Sequence, residues 1–322
     1  MSCNCPMLAE KREKLPSGKY KYLPIGRYTP ELKKAYPDAI TVPCGKCAGC
    51  RADYTRQWAD RMILELDHSG VGIFVTLTYD DEHLPVVYQT TTGVCEPTLS
   101  KRDCQLFMKR LRKEFKDRVI RFYLCGEYGS KGRPHYHAIL YGLSLADFKD
   151  LQRKGCNPLG QEYFISKFFT EQIWQNGFCL LADVSWRTCA YVARYVRKKQ
   201  FGASGNVFEH RLKEPVFSLM SRKPGIGAYY VEEHPECLDK AKIYLSDQNG
   251  SVEVWMPQSF LKFIEELDPV RYERLKKERM SAAENSLLAK LSQTDVFFDE
   301  LCERQRLKME DSGEYIDSLQ VL

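Results

Sequence analysis

The pattern of hydrophobic and polar positions divides the chain into three parts, with changes near residues 70 and 232. Between these points, apolar and β-branched runs at 72–79 and in "VIRFYLCGEYG", "HYHAILYGL" and "CLLADVS" predict strands. Helical spacing of apolar residues in "SKRDCQLFMKRLRKEF", at about 145–154 and 165–175, and in "WRTCAYVARYVRKK" predicts helices. We therefore expect an α+β domain with a largely antiparallel sheet, one face open and the other covered by helices.

The flanking parts have different compositions. The first 60 residues carry five cysteines among several prolines and glycines, and they run into the helical pattern "RADYTRQWADRMILEL". After "MSRKPGIGAYYVEEHP" the chain reads as helical and highly charged, with an interruption at Pro269. We predict a cysteine-rich arm over 1–60, a central domain over 61–232 and a helical accessory region over 233–322.

Composition narrows the class of protein. The chain has 322 residues, 43% of them hydrophobic, which is enough to bury a core. Its formal net charge of +5 fits a nucleic-acid partner without requiring one. The longest strongly apolar run, around "GVGIFVTL", is far shorter than the roughly 20 residues that span a bilayer, and no secretory pattern opens the chain. We expect no membrane association and a cytoplasmic location.

The cysteines suggest a reducing compartment and a metal site. Thirteen is an odd number, so a complete disulfide framework is impossible. Cys44, Cys47 and Cys50 form two overlapping Cys-x2-Cys spacings, with Cys3 or Cys5 available as a fourth ligand for tetrahedral Zn²⁺. Two interpretations stay open, a structural zinc site in the arm or a set of free thiols.

Two histidines separated by one residue stand at the start of a predicted strand. Alternate strand residues share a face, so His135 and His137 point one way and Tyr136 the other. If "SKGRP" connects a hairpin, Glu127 of the preceding strand lies across from the histidines. Two imidazoles and one carboxylate with open coordination positions suit Mg²⁺ or Mn²⁺, and equally Zn²⁺. The alternative is that both histidines are ordinary strand residues that hydrogen-bond to neighbours.

A predicted helix carries two tyrosines and several positive charges. Tyr191 and Tyr195 are four residues apart, so they lie one turn apart on nearly the same side. The cationic setting would attract phosphate and ease deprotonation of a phenol, and a tyrosine hydroxyl can act as a covalent nucleophile. The alternative is an aromatic pair that packs the helix onto the sheet.

These motifs, taken in order, resemble those of a known family. "FVTLTY", "CGEYG" with "GRPHYHAIL", and "YVARYVRKK" resemble the three motifs of HUH endonucleases, the initiators of rolling-circle replication. With two tyrosines, "VPCGKCAGCR" and "MSRKPGIG", the chain is similar to the initiators of single-stranded DNA phages of the microvirus family, gokushovirus type. The resemblance covers most of residues 40–230. It implies an HUH endonuclease-like central antiparallel sheet flanked by helices.

The resemblance also implies roles for particular residues. The divalent ion would be held by His135, His137 and Glu127, the paired nucleophiles would be Tyr191 and Tyr195, and Lys198 would be the lysine after the second tyrosine. We assign the neighbouring positive residues to DNA binding, namely Arg194, Arg197, Lys199, Lys131 and Arg133.

The implied activity is site-specific nicking of one strand at a phage origin. One tyrosine forms a 5′-phosphotyrosine link and frees a 3′-OH, and the second allows the displaced strand to be rejoined as a circle. The DNA must be single-stranded or unpaired, a host helicase and DNA polymerase are expected partners, and the location is the bacterial host cytoplasm.

Two rival functions fit parts of the sequence. A nucleic-acid-binding protein without catalysis would use Tyr123, Tyr136 and Tyr141 as a stacking surface, but it leaves the Glu, His and Tyr set unexplained. A metal-dependent hydrolase would use an activated water, so its tyrosines would be dispensable for cleavage.

Overall fold

The described residues form two compact units, one drawn from Met1–Tyr54 and Ile264–Ser318 and the other from Thr55–Phe263. The domain boundaries predicted from the sequence stay a prediction. The computed structural model describes residues 3–14, 20–89, 93–157, 160–198, 213–247, 250–293, 300 and 303.

The chain alternates strands and helices. The strands are β1 (Met7–Lys14), β2 (Tyr20–Arg27), β3 (Ile40–Val42), β4 (Gly72–Thr78), β5 (Val86–Gln89), β6 (Val94–Pro97), β7 (Arg121–Tyr128), β8 (Pro134–Tyr141), β9 (Gln152–Cys156), β10 (Glu162–Ile165), β11 (Cys179–Asp183), β12 (Phe217–Met220), β13 (Lys242–Asp247) and β14 (Gly250–Trp255). The α-helices are α1 (Pro30–Ala35), α2 (Ala48–Ser69), α3 (Lys101–Glu114), α4 (Trp186–Lys198), α5 (Ala228–Glu233), α6 (Gln258–Leu267) and α7 (Pro269–Leu291).

The larger unit is built on one antiparallel sheet. In the part of the chain that the structure describes, seven strands pair in the order β12-β7-β8-β4-β11-β10-β9. Each neighbouring pair runs antiparallel. The α+β class with a large antiparallel sheet flanked by helices is therefore confirmed.

Both faces of the central strands are covered. On one face, Val75, Ala138 and Leu124 join a buried core with Phe107 of α3 and Trp174 of a π-helix at Phe169–Trp174. The prediction of one open face is wrong. The second face carries Tyr123 and Tyr141, which are also buried.

Aromatic residues on this second face explain its cover. The ring of Tyr123 lies 5.1 Å from that of Trp58 on α2, and the Tyr141 hydroxyl donates to the Met62 carbonyl at 3.1 Å. Large aromatic side chains bury too much apolar surface to be left in water. Helices α2 and α4 therefore pack here.

The smaller unit has strands that the sequence pattern did not predict. Here β1 pairs with both β2 and β3, and Leu8, Tyr28 and Ala39 form a small core with Leu287 of α7. In the sequence, "MLAEKREK" does not alternate strictly, because only its first positions are buried. Three strands therefore stand where we expected an irregular arm closed by a helix.

Two other expectations fail. Residues 145–154 contain a 3-10 turn at Leu145–Asp147 and strand β9 in place of a helix, because β9 pairs with β10 in the sheet. After residue 233 the chain forms the hairpin β13–β14 before it becomes helical. The break at Pro269 is confirmed, since α7 begins there. No helix among the described residues combines enough length with enough apolar content to cross a membrane.

Candidate active site

The predicted hairpin brings Glu127 opposite His135. Strands β7 and β8 pair so that Glu127 faces His135 directly, and Cys125 faces His137. Inside the connection the Gly129 amide donates to the Arg133 carbonyl at 2.9 Å. The predicted hairpin and the shared face of the two histidines are confirmed.

Strand β8 is anchored through the residue between the histidines. Tyr136 points into the opposite core, where the Ser100 amide donates to its hydroxyl at 2.7 Å and the Tyr79 hydroxyl lies at 2.9 Å. Across the hairpin, Gly126 leaves room for the Tyr136 ring, since a Cβ there would lie 2.9 Å from it. This packing holds the histidine positions in register.

Three ligand atoms converge at the site. The His135 Nε2 lies 2.8 Å and the His137 Nε2 3.1 Å from the same oxygen, Oε1 of Glu127. All three ligand atoms lie within 4.8 Å of one another. Glu127 and His137 are each 3% exposed, whereas His135 is half-buried. The set is thus accessible from the His135 side, as an ion with open coordination positions requires.

The other ring nitrogens contact oxygen atoms. The Nδ1 of His137 lies 3.0 Å from the Thr76 Oγ1, and the Nδ1 of His135 lies 3.4 Å from the Arg133 carbonyl. An imidazole that donates through Nδ1 presents its Nε2 lone pair to a cation. Thr76 was not singled out in the sequence, because its position follows only from the pairing of β4 with β8.

The carboxylate is held in its ionised form. Burial raises the pKa of Glu127, but hydrogen bonds from His135 and His137, together with their positive charge, lower it to about 2. Glu127 is therefore an anionic ligand at neutral pH.

Helix α4 places one tyrosine beside the triad. The Tyr191 hydroxyl lies 3.3 Å from the His137 Nε2, and the two rings meet edge to face at 4.9 Å. The ring also meets Phe74 edge to face at 6.2 Å. Tyr191 is half-buried, so its hydroxyl is both held and accessible.

The start of α4 is fixed in two ways. The Thr188 amide donates to the Ser185 Oγ at 3.2 Å, and the Ser185 amide donates to the Thr188 Oγ1 at 2.9 Å. The Trp186 indole N–H donates to the Asp60 Oδ1 on α2 at 3.1 Å. These contacts set the position of the helix that carries Tyr191.

Only some of the predicted DNA-binding residues are described. Arg194 is exposed on α4, and a cavity of about 200 Å³ beside His135 is lined by Lys131 and Arg133. The Arg133 guanidinium also donates to Asp81 at 2.7 Å and to the Tyr79 carbonyl at 2.9 Å. The remaining predicted residues lie on the last turn of α4 without described side chains (Tyr195, Arg197 and Lys198) or outside the described residues (Lys199).

The "MSRKPGIG" segment surrounds a buried ion pair between Arg121 and Glu65. Arg121 donates to the carbonyls of Pro224 at 2.9 Å and Gly225 at 3.1 Å, and Glu65 accepts from the Gly227 amide at 2.6 Å. Gly227 has φ +77°, and a Cβ there would lie 2.9 Å from the carbonyl oxygen of α2 residue Arg61. The structure gives this motif contacts that attach it to α2 and β7.

The site therefore defines an α+β protein with a three-ligand candidate metal centre and an adjacent tyrosine. A model of the replication-associated protein ORF2 family matches residues 72–200, a span that includes the triad and both tyrosines. No solved structure matches the chain significantly.

The curated relatives come from small bacterial viruses. The chain is 29% identical to replication-associated protein ORF2 of Spiroplasma virus 4 over 316 residues, 93% of this chain and 94% of that protein. It is 32% identical to replication-associated protein VP4 of Bdellovibrio phage phiMH2K, over 62% of this chain and 60% of that one. Replication-associated protein ORF4 of Chlamydia phage 1 is 28% identical over 50% of this chain and 39% of its own length. The resemblance to microvirus replication proteins that the motifs indicate is thus confirmed.

Proposed function

We propose that this protein initiates phage DNA replication by nicking one strand of the origin through a tyrosine. One observation carries the proposal, the Tyr191 hydroxyl at 3.3 Å from the Nε2 of His137, itself one of three converging ligand atoms. The match to replication-associated proteins supports the biological role. The antiparallel sheet with its histidine hairpin supports an HUH-like fold.

The donor set fits a divalent ion. One carboxylate and two imidazoles suit Mn²⁺ or Mg²⁺ with further positions open to other ligands. Glu127, His135 and His137 would hold the ion, which when bound polarises a phosphate as a Lewis acid. The contacts of Thr76 and Arg133 to the Nδ1 atoms favour rings that present Nε2 to a cation.

The reaction is a transfer between oxygen atoms. The tyrosine oxygen bonds to phosphorus and its proton passes to solvent, while the bond from phosphorus to the 3′ oxygen breaks. That oxygen takes up a proton and becomes a 3′-OH, and the protein keeps the 5′-phosphotyrosine. The ester bond energy is conserved, so the later attack of a 3′-OH on this link rejoins a strand without a nucleotide cofactor.

A second tyrosine explains how the cycle closes. Tyr195 follows Tyr191 by four residues on α4, about 6 Å further along the helix. After one round of synthesis the second hydroxyl cuts the new origin, and the released 3′-OH displaces the first link. A host polymerase and helicase would extend and unwind the DNA in the bacterial cytoplasm. Lys198, Arg194, Arg197, Lys199, Lys131 and Arg133 remain the proposed cationic contacts.

The stacking alternative loses support from burial. Tyr123 and Tyr136 are 0% exposed and Tyr141 is 1% exposed, so none of them offers a ring face to a base. The hydrolase alternative differs in its product, since a water nucleophile leaves no protein–DNA link.

The test uses the full chain, Mn²⁺ or Mg²⁺, and labelled single-stranded fragments that together cover the source phage genome. A denaturing gel reports both cleavage and covalent protein–DNA adducts. We expect a metal-dependent adduct that persists in Tyr191→Phe and in Tyr195→Phe and disappears in the double variant.

Other outcomes overturn the proposal. Cleavage that continues without an adduct in the double variant would identify a hydrolase. Binding without cleavage or adduct, on fragments that include the origin, would leave a DNA-binding protein.

A further inference from the structure

Four cysteine sulfurs meet in the smaller unit. Cys3 precedes β1, Cys44 and Cys47 lie between β3 and α2, and Cys50 lies in the first turn of α2. Their Sγ atoms all lie within 4.8 Å of one another, and Cys5 is not in the group. Residues 41 or more positions apart in the chain are thus brought together by folding.

The spacings between sulfurs are those of a metal site. Cys3 lies 3.6 Å from Cys44 and 3.7 Å from Cys47, and Cys44 lies 4.0 Å from Cys50. A disulfide needs about 2.05 Å. Four sulfurs placed tetrahedrally at about 2.3 Å from Zn²⁺ lie about 3.8 Å from one another. The observed distances bracket this value.

Backbone amides point at these sulfurs. Asn4 and Cys50 donate to the Sγ of Cys47 at 3.2 and 3.4 Å. Cys44 donates to Cys3 at 3.3 Å, and Cys47 donates to Cys44 at 3.4 Å. Donors of this kind stabilise thiolates over thiols. The backbone is therefore arranged for charged sulfur ligands.

We propose that Cys3, Cys44, Cys47 and Cys50 bind one structural Zn²⁺ and that Cys5 is not a ligand. Four soft sulfur donors in this arrangement select zinc over the oxygen-preferring Mg²⁺ and Mn²⁺. A complete set of thiolates leaves no position for substrate, so the ion links the N-terminal segment to the start of α2. The proposal does not depend on the DNA-cleaving function.

Cys5 provides a matched control. Its thiol lies outside the cluster, while its backbone amide donates to the Sγ of Cys3. A serine at this position keeps that amide. The comparison of Cys3→Ser with Cys5→Ser therefore changes the same atom type two residues apart, but removes a ligand only in the first.

The experiment is elemental analysis of the full chain after extensive dialysis, with cobalt substitution as a second readout. We expect one zinc per chain in the wild type, in Cys5→Ser and in Glu127→Gln, and little or none in Cys3→Ser or Cys47→Ser. Cobalt in the wild type should give the sulfur-to-metal charge-transfer band and the intense visible bands of a tetrahedral thiolate site.

A measurement on the wild type covers the case in which a variant does not fold. Exposed Cys95 and Cys156 should be alkylated by iodoacetamide at once. The half-buried Cys44 and Cys50 should react only after a strong chelator is added. Wild-type chains without zinc, iron in its place, chelator-independent alkylation, or equal zinc loss in Cys5→Ser would each overturn the proposal.

Discussion

The two candidate metal sites of this protein differ in every respect that decides what a metal ion can do. The hairpin site offers two imidazoles and a carboxylate, is accessible from the His135 side, and has the Tyr191 hydroxyl next to it. The cysteine site offers four sulfurs with near-tetrahedral spacing. An incomplete set of hard donors is typical of catalysis, and a complete set of soft donors is typical of structural support.

The largest expected effect comes from removing a hairpin ligand. His137→Ala should lower nicking by at least about 100-fold, since ligands of a catalytic ion contribute more than the residues that orient them. Its zinc content should be unchanged. Gel-based adduct formation and elemental analysis on the same preparation measure both quantities.

His83→Ala is the matched control for this change. His83 is exposed and its Nδ1 contacts Asp80 at 2.8 Å, away from the triad. Its replacement should leave nicking near the wild-type rate. Equal loss in both variants would remove the special role of the hairpin.

The next effect is selective metal removal. Brief treatment with EDTA followed by gel filtration should abolish nicking, because an open site with oxygen and nitrogen donors holds its ion weakly. Mn²⁺ should restore the activity while zinc remains at one per chain throughout. If nicking fails to return and zinc has been lost, the two sites are not functionally separate.

An intermediate effect concerns the anchor of α4. Burial raises the pKa of Asp60 to about 6, although the hydrogen bond from Trp186 and the charge of Arg56 oppose the shift. The folded state therefore binds the proton more tightly, so stability is greatest below the unfolded pKa near 4 and decreases as pH rises through 6. The full loss is about 2–3 kcal/mol.

Asp60→Asn tests this linkage because it keeps an acceptor for the Trp186 indole but cannot ionise. Relative to the wild type, its free energy of unfolding should increase between pH 4 and pH 6.5. Urea denaturation across that range measures the difference, with the exposed Asp117→Asn as control. A constant difference between wild type and Asp60→Asn would contradict the assignment.

The smallest effect is expected at Thr76. Thr76→Val removes the hydroxyl that contacts the Nδ1 of His137, so the Mn²⁺ concentration for half-maximal nicking should rise about 10-fold. Thr76→Ser keeps the hydroxyl and should behave like the wild type. A valine variant with unchanged Mn²⁺ dependence would show that the contact does not orient the histidine.

Sequence reasoning succeeded where a short connection limits the geometry. The pairing of Glu127 with His135 follows from strand parity and a five-residue hairpin connection, and the structure has that register. It failed where pairing partners are distant or the alternation is weak. Strand β9 forms because β10 is available to pair with it, and β1 forms in a segment with only two buried residues.

By itself, the sequence determined the local pattern: the α+β class, the histidine face of β8, the helical spacing of Tyr191 and Tyr195, and the Cys-x2-Cys spacings. Tertiary structure decided which of these residues meet. It placed Tyr191 at His137 across 54 positions, chose Thr76 as the hydrogen-bond partner, and selected Cys3 over Cys5. Periodicity fixes which face a side chain occupies, but only packing of distant elements fixes what that face contacts.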